Sequence, residues 1–183
     1  MNAVVPRTES LVARCISGER QAWRELHQQY YPTVFGFLRK LGVRSPETED
    51  ACQEVFIQVF RYLATFEQRA DLRTWLYKIC LSQASRVRRR AAVRTAIRWL
   101  IRAQGSPEDG LGAWSDAEVQ KRVYAALERM KFIHRAVFVL YELEGLSGQQ
   151  VAEAVGVPFA TVRRRLHNAR AEFEALIAGE EAS

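Results

Sequence analysis

Apolar residues recur along this chain at intervals of three and four, and two-residue alternation is absent, so the pattern is that of helices packed by one face. Such stripes predict helices over residues 9–17, 20–41, 46–63, 71–90, 118–130, 132–144, 147–154 and 158–178. The expected fold class is all-α. Pro32 lies inside the second helix and is expected to kink or split it, because proline lacks the N–H that bonds back one turn. Between about 93 and 117 the periodicity fades into QGSPEDGLG, with three glycines and a proline in nine residues. The chain therefore divides into two helical domains, 9–92 and 118–178, joined by a flexible linker at 93–117. At the start of that linker, TAIRWLIR reads as a short helical extension whose Trp99 and Ile101 dock elsewhere.

The sharpest local pattern is LSGQQVAEAVGVPFATVRRRLHNAR, from Leu146 to Arg170: two short amphipathic helices broken at Val155-Gly156-Val157. Ser147 is placed to cap the first helix, with Gln150 as its capping-box partner three residues on. Gly156 permits a sharp turn, and Pro158 stands where a helix can begin without wasting an N–H. In the second helix Val162, Leu166, Ala169, Phe173 and Leu176 form one stripe, while Ala160, Arg164, His167 and Asn168 point away from it and Arg163 and Arg170 flank it. This is the layout of a helix-turn-helix, and an outer face of guanidinium, imidazole and amide suits a groove lined by base acceptors and phosphates.

Charge sharpens that reading. The net charge is +6. Residues 1–92 carry 15 Lys and Arg against 9 Asp and Glu, while 93–117 (3 against 3) and 118–183 (9 against 9) are neutral, so the first part holds the whole excess. Much of it sits in Arg86, Arg88, Arg89 and Arg90, a cluster that repels itself unless a polyanion relieves it. Cys15, Cys52 and Cys80 are odd in number and widely spaced. Cys52 and Cys80 fall on apolar stripes, so buried thiols are expected rather than a disulfide. His27, His134 and His167 make no ligand spacing with them, and neither a metal nor a cofactor is expected. No apolar run approaches the roughly 18 residues of a membrane span, and MNAVVPRTES lacks a signal-peptide core, so a cytoplasmic protein without membrane insertion is expected.

Within the first domain, Ala51, Cys52, Val55, Phe56, Val59 and Phe60 define a buried stripe, leaving Asp50, Gln53, Ile57 and Arg61 outward. An isoleucine amid polar groups on an outward face fits a docking surface. Asp71 is placed to cap the next helix, whose core stripe is Leu72, Trp75, Leu76 and Ile79; Lys78, Ser82, Ser85 and Arg89 face the other way. Tyr62, Phe66, Trp75 and Tyr77 set aromatic rings beside this basic helix, the combination that grips unstacked single strands, although core packing also accounts for Phe66 and Trp75 and is the stronger reading for Trp75.

The blocks AWRELHQQYYPTVFGFLRKLG, EDACQEVFIQVF and LRTWLYKI, followed by an arginine-ended helix, resemble region 2 of bacterial extracytoplasmic-function sigma factors. ALERMKFIHRAVFVLYELEGLSGQQVAEAVGVPFATVRRRLHNARAEF resembles their region 4, and the two blocks stand in the family's order. The resemblance implies a promoter-specificity subunit of RNA polymerase. It implies that Asp50, Gln53, Glu54 and Ile57 contact the clamp coiled coil of the largest polymerase subunit, with region 4 against the flap of the second-largest. It further implies that Phe66, Arg73, Trp75, Lys78, Ser82, Arg86, Arg88, Arg89 and Arg90 hold the melted minus-ten strand. Thr161, Arg163, Arg164, Arg165, His167, Asn168 and Arg170 would then bind the minus-thirty-five duplex, and an anti-sigma factor is an expected partner. The 25-residue linker, extended, reaches about 80 Å, and two elements about 17 base pairs apart are separated by about 58 Å, so one chain can span both. The family often carries asparagine and aspartate after its TWLY block, where this chain has Ser82 and Gln83, and Leu-Pro before the third region 4 helix, where it has Leu127-Glu128.

Two other readings compete. A sigma mimic that only sequesters an anti-sigma factor would be expected to lose its basic faces, and both arginine runs are retained. A free-standing helix-turn-helix repressor leaves the EDACQEVF face unexplained and would normally need a dimerisation element to reach useful affinity. No paired carboxylates, nucleophile and base set, or phosphate-cradling glycine loop points to an enzyme.

Overall fold

A computed structural model describes residues 7–44, 46–66, 71–101 and 117–181; of these, the side chains described are those of 11–44, 46–66, 71–92, 120 and 122–178. All regular structure there is helical: α1 (Arg7–Ile16), α2 (Arg20–Lys40), α3 (Glu47–Tyr62), a 3-10 turn (Leu63–Thr65), α4 (Leu72–Ile101), α5 (Ala117–Arg129), α6 (Phe132–Phe138) running into a π-helical turn (Val139–Leu143), α7 (Gly148–Val155) and α8 (Phe159–Glu181). Helices α2 to α4 pack on one another with α1 across α2, and α6, α7 and α5 pack on α8.

Three expectations are corrected. Pro32 neither splits nor ends α2, which runs unbroken from Arg20 to Lys40. The helix expected to stop at Arg90 continues to Ile101, so over residues 95–101 the expected helical extension is a prolongation of α4 itself. No glycine or proline interrupts the stretch, and the arginine cluster that looks like a terminus is only the charged middle of a longer helix. The side chains of Trp99 and Ile101, and residues 102–116, lie outside the described residues. The helix expected over 132–144 opens into its π-helical turn after Phe138.

The two halves share one core. Leu26, Phe37, Leu38, Val55, Val59, Leu76 and Cys80 fill the first half, and Leu127, Val137, Leu140, Val151 and Val162 fill the second; the buried cluster is continuous between them through α4 and α7. Phe37 and Tyr77 rings meet 4.3 Å apart near the junction. The end of α2 is shaped by Gly42, whose φ of +84° continues into a Schellman cap: Val43 N–H bonds Leu38 O (3.1 Å) and Gly42 N–H bonds Arg39 O (2.9 Å). Gly42 serves a second purpose, because a Cβ there would overlap the guanidinium of Arg135 from α6.

Arg135 is only 4% exposed. It donates through Nη1 to Leu41 O (2.9 Å) at the end of α2, and through Nη2 to Glu128 O and to Met130 O (3.3 Å) at the end of α5. The carbonyl ends of two helices thus share one buried cation, which complements both helix dipoles. Burial, and then the nearby Arg88, push its pKa down to about 10, so it stays charged at neutral pH.

Candidate nucleic-acid interface

The helix-turn-helix forms as its local signals require. Ser147 Oγ accepts from Gln150 N–H (3.3 Å) while Gln150 Oε1 accepts from Ser147 N–H (2.9 Å), a complete capping box on α7. Gly156 takes a left-handed φ of 68°, and the Pro158 carbonyl accepts the first bonds of α8, from Thr161 (2.9 Å) and Val162 (3.2 Å). Val162, Leu166 and Ala169 are buried, with Phe173 and Leu176 packed beside them and Phe173 stacked on Phe138 at 4.6 Å. That anchoring turns Arg163, Arg164, His167 and Asn168 to solvent and leaves Thr161 and Arg165 half-buried. Arg170 departs from expectation. Its Nε donates to Glu142 (2.7 Å) and its guanidinium stands over Tyr141 at 5.6 Å, so it is tied down within its own half.

On α4, Asp71 Oδ1 accepts from Arg73 N–H (3.2 Å), which caps the helix as its sequence position requires. Leu72, Leu76 and Ile79 are buried, and Lys78, Ser82, Arg86, Arg89 and Arg90 are exposed along one side. Phe66 and Trp75 are half-buried against each other at 5.4 Å. Three members of the expected strand-gripping set are engaged elsewhere. Tyr77 is buried core; Arg73 bonds the Tyr77 hydroxyl (Nε, 2.8 Å) and the second half of the chain; Arg88 lies over the Phe132 ring at 4.5 Å. Residues 67–70 of the loop before α4 lie outside the described residues.

Helix α3 buries Ala51, Cys52, Val55 and Val59 and exposes Asp50, Gln53, Glu54 and Arg61, with Ile57 still 42% exposed among them. Two expected core residues are corrected. Phe56 is only half-buried, and Phe60 is 65% exposed, covered on one side by Trp23 at 4.8 Å. The three thiols are buried and free, and burial raises Cys15 and Cys52 to about 11.

Residues 26–103 match the family model for sigma-70 region 2, and residues 120–173 match that for sigma-70 region 4, together well over half the chain. The chain belongs to the extracytoplasmic-function (ECF) sigma factors. It is similar to the ECF RNA polymerase sigma factor SigE of Mycolicibacterium smegmatis, 29% identical over 168 residues that cover 86% of this chain and 62% of that protein. It is also similar to the ECF RNA polymerase sigma-E factor of Haemophilus influenzae, 26% identical over 179 residues that cover 91% and 93%. Among solved structures, the sigma factor RpoE in complex with the anti-sigma factor NepR from Bartonella quintana shares the fold, with a TM-score of 0.68 at 18% identity over 85% of this chain and 96% of that one.

In this sigma factor, then, α2 to α4 are region 2 and α5 to α8 are region 4. Sequence reasoning missed the polar cluster where they meet. Glu144, just after the π-helical turn, has a side chain only 8% exposed. Its carboxylate accepts from Lys40 Nζ (2.7 Å), from Arg73 Nη2 (3.1 Å) and from the Tyr77 hydroxyl, and its backbone carbonyl also accepts from Arg73 Nη2 (2.8 Å). Burial works to raise the Glu144 carboxyl; the bonds from Lys40, Tyr77 and Arg73 outweigh it and hold the group below its ordinary value. Burial raises the Tyr77 hydroxyl, and its bond to that carboxylate raises it further, so it remains a donor. At the rim Arg44 pairs with Glu128 at 2.9 Å. Gln83, one of the family departures, is 4% exposed and its Nε2 has no hydrogen-bond partner among the described residues. No sequence signal marks Glu144; for Arg135 a signal exists in its position, one turn before Val139 on an otherwise apolar stripe.

Proposed function

We propose that this sigma factor directs core RNA polymerase to promoters with a minus-thirty-five element read as duplex and a minus-ten element captured as single strand. The carrying observation is the outer face of α8: Arg163, Arg164, His167 and Asn168 stand exposed opposite the stripe that anchors the helix. Such a face offers donors to base acceptors in the major groove, with guanine O6 and N7 the natural partners of arginine. Arg165 and Thr161 at the edges suit phosphates. Arg170 is assigned a lesser role, because Glu142 already holds it.

In region 2, Lys78, Ser82, Arg86, Arg89 and Arg90 form the basic track for the minus-ten strand, with Phe66 and Trp75 as its aromatic ledge. Arg73, bonded to Tyr77 and Glu144, and Arg88, over the Phe132 ring yet exposed, stand at the edge of that track. Asp50, Gln53, Glu54 and Ile57 form the docking face for the clamp coiled coil of the largest subunit, and region 4 meets the flap of the second-largest. The chain works in the cytoplasm without being an enzyme. An anti-sigma factor is its proposed regulator, by analogy with the RpoE–NepR complex. No helix among the described residues is long and apolar enough to cross a membrane.

Run-off transcription with core polymerase, with and without the chain, on a pool of randomised promoters tests the proposal. Enrichment of templates sharing two elements about 17 base pairs apart is the expected result. No chain-dependent transcript from any template would refute it.

A further inference from the structure

We propose that Phe159, the first residue of α8, reads the 5-methyl group of a thymine in the minus-thirty-five duplex. This apolar contact extends the arginine face of the same helix and rests on the promoter reading above.

Phe159 opens the helix that carries Arg163, Arg164 and His167, and it is 47% exposed although its side chain is wholly apolar. Two local devices fix it there. The Pro158 carbonyl accepts from the N–H groups of Thr161 and Val162, which sets the start of α8. One edge of the ring lies across Gly148, the first residue of α7: a Cβ on Gly148 would overlap Cε2 and stand 3.3 Å from Cδ2 and from Cζ. The capping box of Ser147 and Gln150 holds Gly148 in a regular helical turn, and its φ is not positive, so its backbone has no need of glycine. The missing Cβ serves the ring. Packing duties at this end of α8 fall instead to Val162 and Leu166, which are 1% and 8% exposed.

Chemistry selects what the held ring can meet. In helix-turn-helix proteins the first residues of the recognition helix contact base edges. A phenyl ring offers no donor or acceptor to those edges, and the thymine methyl is the one apolar group that the four base pairs display in the major groove. Ala160, exposed beside Phe159, widens the apolar spot. Because the ring is already pinned on Gly148, little side-chain freedom is left to lose on binding. Arg163 is exposed one turn further along the same side, about 5.4 Å on. Base pairs are stacked about 3.4 Å apart, so the thymine belongs within about two base pairs of the one that Arg163 meets.

The test uses holoenzyme formed from the full chain and core polymerase, on the promoter enriched from the randomised pool. Duplexes with deoxyuridine in place of one minus-thirty-five thymine at a time lose a methyl group and keep every base pair. Wild-type holoenzyme should bind about fourfold more weakly at one such position, the worth of one buried methyl group. Phe159→Ala should bind the deoxyuridine and thymine duplexes alike there. Gly148→Ala keeps the phenyl but displaces it, so the preference should shrink; an undiminished one removes Gly148 as the seat of the ring. A ring that only packs predicts that Phe159→Ala weakens every template evenly and leaves the methyl preference untouched, and that result overturns the proposal. So does wild-type holoenzyme indifferent to deoxyuridine at every position, a measurement that needs no variant to fold, and so does a selected minus-thirty-five element without an A·T pair. Run-off transcription on the same templates separates the two ideas. Equal transcripts from thymine and deoxyuridine templates overturn the methyl contact alone, whereas no chain-dependent transcript from any template overturns the promoter reading and the contact with it.

Discussion

Replacing Arg135 by methionine isolates the cation that joins the helix ends, because methionine keeps the apolar stem out to about the Nε position while deleting the charge and donors. Three carbonyls lose a partner: Leu41 O, Glu128 O and Met130 O. Bonds to a charged donor contribute about 1.5–3 kcal/mol each, or about 4.5–9 in all. Against this stands the cost of burying the guanidinium. A fall from 12.5 to about 10 corresponds to about 3.5 kcal/mol, at about 1.4 per pH unit. The balance is a loss of about 1–5.5 kcal/mol for Arg135→Met, and its middle value of about 3 lowers the melting temperature of a cooperative unit of this size by about 6–12 °C.

Thermal unfolding followed by circular dichroism measures it, and two companions sharpen the result. Arg135→Lys keeps the charge but lacks the planar fork that reaches three carbonyls, so it should recover only part of the loss. Gly42→Ala should destabilise the wild type more than it does the Arg135→Met chain, because the new Cβ overlaps the guanidinium in the first and not in the second. The strain of a φ of +84° remains in both backgrounds and cancels from the difference. An Arg135→Met chain that melts within about 2 °C of wild type, or additive effects of the two substitutions, would refute the reasoning.

Four further outcomes follow. Asp50→Lys with Ile57→Glu should weaken binding to core polymerase in a titration while helicity is unchanged, since both side chains face solvent; equal affinity would remove α3 as the docking face. Replacing Arg86, Arg89 and Arg90 by alanine should flatten the log-affinity versus log-salt slope of holoenzyme on promoter DNA by about 2–3, and an unchanged slope would place these arginines off the DNA. Arg164→Ala should relax preference at one or two minus-thirty-five positions, a bidentate guanine contact being worth about 1–3 kcal/mol of discrimination; an even loss at every base would make it a positioning residue. Because the Glu144 carboxyl is held below its ordinary 4.5, its contribution to folding stability should be fully present above that value and vanish as pH falls through the lower one; thermal unfolding at stepped pH should show Glu144→Ala less sensitive than wild type over that window.

What could be read from the chain divides by the distance over which each residue acts. The helix-turn-helix is encoded within 25 residues: Ser147 and Gln150 cap each other, Gly156 turns, and the α8 stripe fixes which side chains face outward, so the outer face of α8 follows from local spacing. The α3 face is legible for the same reason, down to Ile57. Phe60 fails because periodicity ranks a residue only against its own helix. It lies at the margin of the α3 stripe, and what covers it is Trp23 on α2, which no local pattern announces.

Glu144 fails more completely. In YELEG it reads as one more surface acid, and its burial depends on Lys40, Arg73 and Tyr77 arriving from the other region. The same long reach turns Tyr77 from a candidate strand-stacking ring into core, ties Arg73 to Tyr77 and Glu144, and sets Arg88, still exposed, over the Phe132 ring. A basic residue can thus be read as a nucleic-acid contact only after the acids and aromatic rings of the rest of the fold have been tried against it. By that criterion Lys78, Arg86, Arg89 and Arg90 on α4, and Arg163 and Arg164 on α8, are exposed cations that remain candidates for meeting DNA.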